Sequence, residues 1–231
     1  MERPYGAVRI ALLYPELLGT YGDGGNALVL AERARRRGRR VELVTVTLDE
    51  RLPGADLYLL GGGEDGPQRL AADLLRRGDL AARVADGARV FAVCAGLQVL
   101  GTSFAVEGDD RYDGVGLVAA TTVRGERRSV GDLAVRVGGR LLVGFENHGG
   151  RTRLDGAVAP LGEVVRGRGS DGRHDGFVTE RVVATYAHGP VFALNPWFAD
   201  QVLGAALGEE LEPLATVADR LYAERCARLG P

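Results

Sequence analysis

Short apolar runs alternate with stretches of helical periodicity over the first hundred residues of the chain. The apolar runs lack the period-two alternation of a strand with one wet face, which is typical of strands covered on both faces. They lie at 8–13, 41–46, 56–60 and 90–93. Helical patterns lie at 26–37, 67–85 and 97–100. This order predicts an α/β fold, with an open, largely parallel sheet and helices on both faces.

The pattern changes after about residue 112. Short strands are predicted there at 116–119, 133–137, 141–145 and 182–186, and the pattern is helical from about Pro196 onward. No internal repeat, low-complexity linker or break in composition divides the chain. We therefore expect one domain over 1–231, with a core over about 8–205 and a helical tail over about 206–231.

Composition narrows the classes of function. The formal net charge is −2, which argues against a protein that binds nucleic acid over its whole surface. All 29 basic side chains are arginines, so a Schiff-base lysine and a P-loop lysine are excluded. No apolar run approaches the ~18 residues of a transmembrane helix, and the amino terminus does not resemble a signal peptide. Two cysteines make no disulfide framework, and we expect a cytoplasmic protein without membrane insertion.

The strongest local signal for chemistry is the segment around Cys94. This cysteine directly follows the predicted strand 90–93, and the small residues Ala92 and Gly96 lie two positions before and after it. Such spacing is typical of a nucleophile elbow, a sharp strand-to-helix turn at the edge of a sheet. The positive end of the next helix favours a thiolate, and the N–H of Ala95 is free to donate to an oxyanion. The alternative is a buried cysteine that packs as a small hydrophobic residue.

A thiolate nucleophile needs an imidazole to accept and return a proton. The chain has three histidines. His174 lies in a polar, glycine-rich segment and is expected to be solvated. His148 and His188 both follow predicted strands, and the sequence favours His188 only weakly over His148.

Other segments have competing interpretations. Three glycines at 61–63 follow a predicted strand, and they either offer N–H groups to an anion or form a tight turn only. The arginine run at 35–40 suggests a nucleic-acid patch, but it overlaps the end of a predicted helix, and we expect it to complement the helix dipole. Cys226 is interpreted as structural or without a role. No group of Cys and His has the spacing of a zinc site, so no metal is expected.

Several motifs together resemble a known family. The Cys-x-Gly-x-Gln form of Cys94, Gly96 and Gln98, the glycine turn and the late histidine resemble class I glutamine amidotransferases. The Tyr-x-His-Gly-Pro segment that holds His188 is similar to their cobyric acid synthase-like branch. Segments 13–26 and 144–152 resemble GatD-type glutaminase subunits of lipid II isoglutaminyl synthases. The resemblance covers about residues 8–205 and implies a flavodoxin-like sheet.

The resemblance implies a role for each reacting group. Cys94 attacks the side-chain carboxamide of L-glutamine and forms a γ-glutamyl thioester. His188 acts as base and then as acid, so that ammonia leaves. Backbone N–H groups at Gly63 and Ala95 hold the oxyanion.

Substrate-binding roles for Arg128 and Gln98 are implied in the same way. The arginine fork suits the glutamine carboxylate, and the alternative is a solvated arginine. One position departs from the usual pattern, because most triad-type members have a glutamate two residues after the histidine and this chain has Pro190. We therefore expect the acid that orients the imidazole to come from elsewhere, by hypothesis from a partner subunit, which would make the isolated chain a weak glutaminase.

The resemblance also implies a partner that uses ATP. The chain has no nucleotide-binding signature, so no cofactor is expected in it, and ATP with magnesium is expected on a Mur-ligase-like (MurT-type) synthetase subunit. That partner would amidate the D-glutamate α-carboxyl of lipid II with the ammonia released here. Other functions stay open: an amidotransferase of the cobyric acid synthase branch, a cysteine hydrolase of γ-glutamyl compounds, or a catalytically silent subunit that binds glutamine for regulation.

Overall fold

The computed structural model describes residues 7–105 and 110–230 of the chain. Its first half alternates strands and helices in the order β1 (Ala7–Leu13), α1 (Gly25–Arg36), β2 (Arg40–Val46), β3 (Leu57–Leu60), α2 (Asp65–Arg77), α3 (Leu80–Ala85), β4 (Arg89–Val93) and α4 (Ala95–Leu100). Strands dominate the next part: β5 (Ser103–Ala105), β6 (Arg111–Asp113), β7 (Ala120–Val137), β8 (Arg140–Leu154), β9 (Gly162–Arg166), β10 (His174–Asp175), β11 (Phe177–Val178) and β12 (Val182–Thr185). The helices α5 (Val191–Leu194), α6 (Pro196–Leu207) and α7 (Val217–Leu229) follow.

A six-stranded sheet forms the centre of the fold, in the order β11-β12-β4-β3-β1-β2. Its pairings are parallel except that of β11 with β12. The central strands β3 and β4 are apolar and almost wholly buried, as strands are when helices cover both faces of a sheet. The predicted fold class, an open and largely parallel α/β sheet, is confirmed.

A second sheet has the order β10-β9-β7-β5-β6, with β8 paired to β7. The long strands β7 and β8 form an antiparallel hairpin whose register is interrupted between Arg124 and Ser129. The short strands predicted at 133–137 and 141–145 belong to these two long strands. The strand predicted at 116–119 is wrong, because Gly116 has a φ of +74°, a left-handed conformation that regular strands do not contain, and the strand begins at Ala120.

The helix predicted over 67–85 is wrong in its extent. The structure has two helices there, α2 and α3, with a break at Gly78 and Asp79. Asp79 has a φ of +58°, and aspartate is one of the few residue types that enter this left-handed region readily. The periodic pattern of apolar residues therefore continues across a point where the helical backbone conformation is interrupted.

The arginine-rich end of α1 binds other parts of the same chain. Arg33 makes two contacts of 2.6 Å with the carboxylate of Asp200 in α6, and the two side chains are only 6% and 13% exposed. Arg37 donates to the backbone carbonyl of Glu212, beyond the end of α6. These contacts hold the segment between α6 and α7 against α1.

The carboxyl-terminal helix α7 packs on the hairpin through a small apolar cluster, Ala134, Val143 and Leu229, that is separate from the main core. The single domain over 1–231 and its division into a core and a tail stay predictions, and residues 1–6, 106–109 and 231 lie outside the described part. None of the helices in the described part combines the length and the apolar composition that crossing a bilayer requires.

Candidate active site

Cys94 stands on a sharp turn between β4 and α4, as the spacing of small residues predicts. Its φ of +52° is unusual for a residue with a side chain, and such strain is concentrated at functional sites. The N–H of Gly96 donates to the carbonyl of Gly61 at 3.1 Å, which holds the turn against the end of β3. A Cβ at position 96 would lie 2.7 Å from the Cβ of Leu60, so only glycine fits there.

The thiol lies at the wall of a cavity of about 490 Å³, and Cys94 is 6% exposed. The cavity lies between the start of α2, the start of α4 and the interrupted part of the hairpin. The sulfur is thus beside an open space and is not enclosed in the apolar interior.

His188 reaches the same edge of the sheet because β12 runs parallel to β4, with Thr185 opposite Val93. Beyond β12 the backbone of His188 pairs with that of Phe145 in β8, through N···O distances of 2.8 and 3.2 Å. The imidazole is fully buried between two aromatic rings. The ring of Phe145 stacks on it at 5.2 Å between centroids, and the ring of Tyr21 meets it at 4.8 Å and 71°.

The acid that orients this imidazole is Asp23, from the loop between β1 and α1. Its Oδ2 lies 2.9 Å from Nδ1 of His188 and also accepts the N–H of Gly62 at 2.8 Å. Both side chains are fully buried. The acid does come from elsewhere than position 190, but from this same chain. This corrects the expectation that a partner subunit supplies it, and it removes the reason for expecting the isolated chain to be weak.

The electrostatics of His188 follow from these neighbours. Burial opposes its charged form, but the hydrogen bond to Asp23, the nearby polar thiol of Cys94 and the charges of both groups outweigh burial and raise the pKa of His188 to about 9. Nδ1 is held by Asp23, and no standard hydrogen bond to Nε2 is formed by the described residues. Nε2 is therefore the nitrogen left to exchange protons with Cys94 and a substrate.

Gly62 is the point at which this group of residues is packed most tightly. A Cβ at this position would lie 2.6 Å from Cε1 of His188, 3.2 Å from Oδ2 of Asp23 and 3.5 Å from the Cβ of Cys94. The close packing of all three residues around a single glycine leaves no room for a side chain there. The glycine turn at 61–63 thus lets the backbone lie close to Cys94, His188 and Asp23. The need for glycine at position 62 comes from these neighbours as well as from the turn.

The residues expected to hold an oxyanion lie on this cavity. Gly63 and Ala95 both line it together with Cys94. Ala95 is the first residue of α4, so its N–H has no acceptor within the helix. Their role as oxyanion donors stays a prediction.

The two expected substrate-binding residues, Arg128 and Gln98, also line the cavity, but they differ in exposure and in hydrogen bonding. Arg128 is exposed, and its Nε donates to Oδ1 of Asn147 at 2.6 Å. Gln98 is buried, and its amide is held from both sides, because Oε1 accepts from Gln68 at 2.8 Å and Nε2 donates to the Tyr186 hydroxyl at 3.1 Å. The geometry thus leaves Arg128 more available to a ligand than Gln98.

His148, the other candidate base, is buried in the lining of the cavity, and each of its ring nitrogens contacts an oxygen of the protein. Nε2 is 3.1 Å from a carboxylate oxygen of Glu146, and Nδ1 is 3.0 Å from the carbonyl of Gly150. Its ring stacks on Tyr186 at 3.8 Å between centroids. Both ring nitrogens are thus directed at oxygens of Glu146 and Gly150, and no hydrogen bond joins His148 to Cys94 in the described part of the chain. His174, expected to be solvated, is 40% exposed and pairs with Asp171.

The carboxylate beside His148 is itself held strongly. Burial opposes the charge of Glu146, but hydrogen bonds from His148, from the N–H of Gly169 and from the N–H of Arg168 outweigh burial, so its pKa lies below the ordinary value. Glu146 and His148 thus form a buried, hydrogen-bonded pair that supports the wall of the cavity.

Sequence reasoning missed Asp23 and the two side chains near it, Tyr21 and Asn147. The signals in the sequence were two family-like segments, 13–26 with Tyr21 and Asp23 and 144–152 with Asn147, and both were used for the resemblance alone. Asp23 and His188 are 165 residues apart, and no local pattern links them.

A larger cavity of about 920 Å³ lies elsewhere, between α6, the turn of the hairpin and the segment before α7. Its lining includes no histidine, cysteine, serine or threonine, so the candidate chemistry belongs to the smaller cavity. Within 7–105 and 110–230, no three His, Cys, Asp or Glu side chains are placed to hold a metal ion.

Comparisons with known proteins agree with this geometry. Residues 9–196 match the family model of the CobB/CobQ-like glutamine amidotransferase domain. The lipid II isoglutaminyl synthase (glutamine-hydrolyzing) subunit GatD of Streptococcus pneumoniae is 32% identical over 88% of this chain and 82% of its own length. The GatD subunit of Staphylococcus aureus is 32% identical over 82% of this chain and 80% of its own. The resemblance drawn from the motifs is confirmed.

Among solved structures, the chain is similar to one of PurLQS from Thermotoga maritima. The TM-score is 0.58 at 19% sequence identity, over 94% of this chain and 98% of the other. At this identity the likeness establishes a shared fold and nothing further.

Proposed function

The chain belongs to the CobB/CobQ-like glutamine amidotransferase family, and from that premise we propose that it hydrolyses L-glutamine to glutamate and ammonia. Cys94 is the nucleophile and His188 the general base and acid. The observation that carries the proposal is the packing of Cys94, His188 and Asp23 around Gly62, with Cys94 at the wall of an open cavity. A thiol, an imidazole and a carboxylate in this order form the acyl-transfer triad.

Before acylation, Nε2 of His188 holds the proton of the Cys94 thiol in a thiolate–imidazolium pair, and the thiolate sulfur then attacks the carboxamide carbon. The tetrahedral oxyanion lies at the start of α4, where the N–H groups of Ala95 and Gly63 donate to it. His188 then returns the proton to the leaving nitrogen. The C–N bond breaks, ammonia leaves, and a γ-glutamyl thioester remains on Cys94.

Deacylation repeats these steps with a water molecule as the nucleophile. His188 removes a proton from the water molecule, the hydroxide adds to the thioester carbon, and the C–S bond breaks. The thiolate of Cys94 takes back a proton and glutamate leaves. Asp23 holds Nδ1 of His188 throughout, so that Nε2 faces the reacting atoms and the imidazolium is stabilised when it forms.

Recognition of glutamine needs a group that fits its α-carboxylate. Arg128 lines the cavity, and its guanidinium group has further N–H donors besides the two that contact Asn147. A two-pronged contact to the carboxylate is the strongest that arginine makes. We assign Arg128 to this end of the substrate.

The proposal includes a partner. Two relatives are named as subunits of lipid II isoglutaminyl synthase, and this supports delivery of ammonia to a Mur-ligase-like synthetase in the cytoplasm. That subunit uses ATP and magnesium to activate the D-glutamate α-carboxyl of lipid II, and ammonia completes the amide. The present chain carries no lysine to contact phosphates, which fits a division of labour between two polypeptides.

The test is glutamine hydrolysis by the purified chain, alone and coexpressed with a Mur-ligase-like protein from the same genome. Wild type is compared with Cys94→Ser, His188→Ala and Cys226→Ser. Cys226 is the matched control, since it lies on α7 away from the cavity. We expect a loss of at least about 10³-fold for the first two variants and none for the third. Glutamine binding without hydrolysis by the wild-type complex would instead support the silent regulatory subunit.

A further inference from the structure

Three polar side chains, Arg128, Asn147 and Tyr21, form a connected row that leads from the cavity to His188. Arg128 and Asn147 line the cavity. Arg128 donates from Nε to Oδ1 of Asn147 at 2.6 Å. Asn147 donates from Nδ2 to the hydroxyl oxygen of Tyr21. The ring of Tyr21 then meets the imidazole of His188 edge-on at 4.8 Å. The row joins the proposed carboxylate-binding residue to the proposed base.

The positions of Arg128 and Asn147 follow from the pairing of β7 with β8. Arg128 lies in the stretch of β7 where the register with β8 is interrupted, and this part of the strand borders the cavity. Asn147 lies on the facing strand β8, beside the buried His148. The two strands thus bring the arginine and the asparagine together at the rim.

Tyr21 has a backbone that points to function. Its φ is +62°, a left-handed conformation that is an outlier for a bulky residue. The same loop carries Asp23, the acid that holds His188. Packing against Phe145 at 5.6 Å fixes the other side of the tyrosine ring.

Arg128 needs this support because its side chain is exposed. A long exposed side chain has many rotamers, and ordering it for a ligand costs entropy. The hydrogen bond to Oδ1 of Asn147, with a longer contact of 3.4 Å to its carbonyl, fixes the guanidinium plane before a ligand arrives.

We propose that Asn147 is a positioning residue that sets specificity: through its amide it holds Arg128 for the ligand carboxylate and, through Tyr21, ties that contact to His188. The inference rests on the proposed function and deepens it. A ligand that carries both a carboxamide and a carboxylate at the spacing of glutamine engages both ends of the row, whereas an amide without the carboxylate engages only one.

The experiment compares two substrates in the full-length chain with its partner. One is L-glutamine and the other is 4-aminobutanamide, which is glutamine without its α-carboxylate. The second compound is measured as a substrate or, where its turnover is slow, as a competitive inhibitor. The variants are Asn147→Ala and Tyr21→Phe. Arg153→Ala is the control, because Arg153 lies on the same strand with a side chain 80% exposed and outside the cavity.

For Asn147→Ala we expect KM for glutamine to rise about tenfold, with kcat changed by less than about threefold, as for loss of one charge-assisted hydrogen bond. Values for 4-aminobutanamide stay at the wild-type level, so discrimination falls about tenfold. Tyr21→Phe keeps the ring on His188 and removes only the hydroxyl, and it shifts KM in the same direction by about threefold. Arg153→Ala leaves all values unchanged.

Two results would overturn the inference while leaving the proposed function intact. One is an equal loss for both substrates in Asn147→Ala, which indicates a general structural role. The other is glutamine kinetics in Asn147→Ala that match those of Arg153→Ala. A wild-type complex that does not hydrolyse glutamine would overturn the proposed function, and the inference would fall with it.

Discussion

The proton affinity of His188 is set by two neighbours, and this links the geometry of the site to a measurable quantity. Asp23 and Cys94 act against the effect of burial and raise the pKa of the imidazole to about 9. A positively charged imidazole beside a thiol favours the ion pair that a cysteine nucleophile needs. Asp23 is thus expected to affect both the orientation and the charge of the base.

Replacing Asp23 with Asn should lower kcat for glutamine by about 10²–10⁴, because an amide cannot hold the same tautomer and charge of His188. The pKa of His188 should fall, and the pH–rate profile should shift toward lower pH with it. Steady-state kinetics from pH 5 to 10, with a ¹⁵N NMR titration of the imidazole, measure both effects. A variant with wild-type kcat and an unchanged profile would remove Asp23 from the site chemistry.

His148 and His188 should behave differently when each is replaced by Ala. The His188 variant loses the general base and with it nearly all turnover. The His148 variant loses a buried support of Glu146 and should keep a measurable fraction of kcat, with reduced thermal stability. Glutaminase assays and thermal unfolding of both variants decide this. A larger loss of turnover for His148→Ala would reverse the assignment of the base.

Single side chains were predictable from the sequence only where a local pattern marked them. Cys94 was singled out by its small flanking residues, and His188 by its position after a strand together with the family-like motif. Asp23 carries no such local mark, because its role arises when two distant loops meet at one sheet edge. The occupied nitrogens of His148 are likewise a product of tertiary packing.

Helix α1 illustrates how an element is fixed by distant contacts. The arginine run at 35–40 suggested a dipole effect or a nucleic-acid patch, and in the structure Arg37 of that run donates to the carbonyl of Glu212. Arg33, just before the run, forms a buried ion pair with Asp200. The neighbouring Arg36 makes an exposed pair with Glu32, one helical turn away, and both side chains are 54% exposed. The same residue type therefore has two energetic roles within one helix.

Substitution of Arg33 by Gln should destabilise the fold by about 3 kcal/mol, because it leaves a carboxylate with reduced compensation in a mostly buried place. Substitution of Arg36 by Gln is the matched control and should cost no more than about 0.5 kcal/mol, since an exposed pair one turn apart contributes little. Urea unfolding of both variants measures the difference. Equal effects would show that the Arg33 pair does not hold α1 to α6.

Among the elements, the parallel strands were predictable and the second sheet was only partly so. The buried strands β3 and β4 are recognisable in the sequence as apolar runs. The long hairpin of β7 and β8 is interrupted by arginines and glycines that face solvent or the cavity, so only its apolar ends were seen. The break between α2 and α3 depends on one left-handed residue, Asp79, which apolar periodicity does not reveal.

The chain as a whole should lose stability as the pH rises, because two buried groups bind their protons more tightly in the folded state. Burial raises the pKa of Asp175 to about 7, although hydrogen bonds from Thr185 and Tyr186 oppose the shift. The pKa of His188 is raised to about 9. A group with a raised folded pKa contributes stability that is complete below its unfolded pKa and is lost as pH rises through the folded value.

The pH ranges over which these two contributions to stability are lost follow from the pKa values. The contribution of Asp175 is lost between about pH 4 and 7, and that of His188 between about pH 6.5 and 9. Urea unfolding at pH 6.5 and pH 9 should show a decrease in wild type that is smaller in Asp23→Asn, because that variant lowers the folded pKa of His188. A decrease of equal size in both proteins would show that His188 does not contribute.

The central claim is that the sulfur of Cys94 reacts with glutamine, and covalent trapping tests it most directly. The full chain, with and without its ligase partner, is treated at neutral pH with a diazo-ketone analogue of glutamine, and the adduct is located by peptide mass spectrometry. The account predicts one adduct, on Cys94, that excess L-glutamine suppresses and that His188→Ala slows, with Cys226 unmodified. A complex that hydrolyses glutamine while Cys94 stays unmodified at saturating analogue would contradict it.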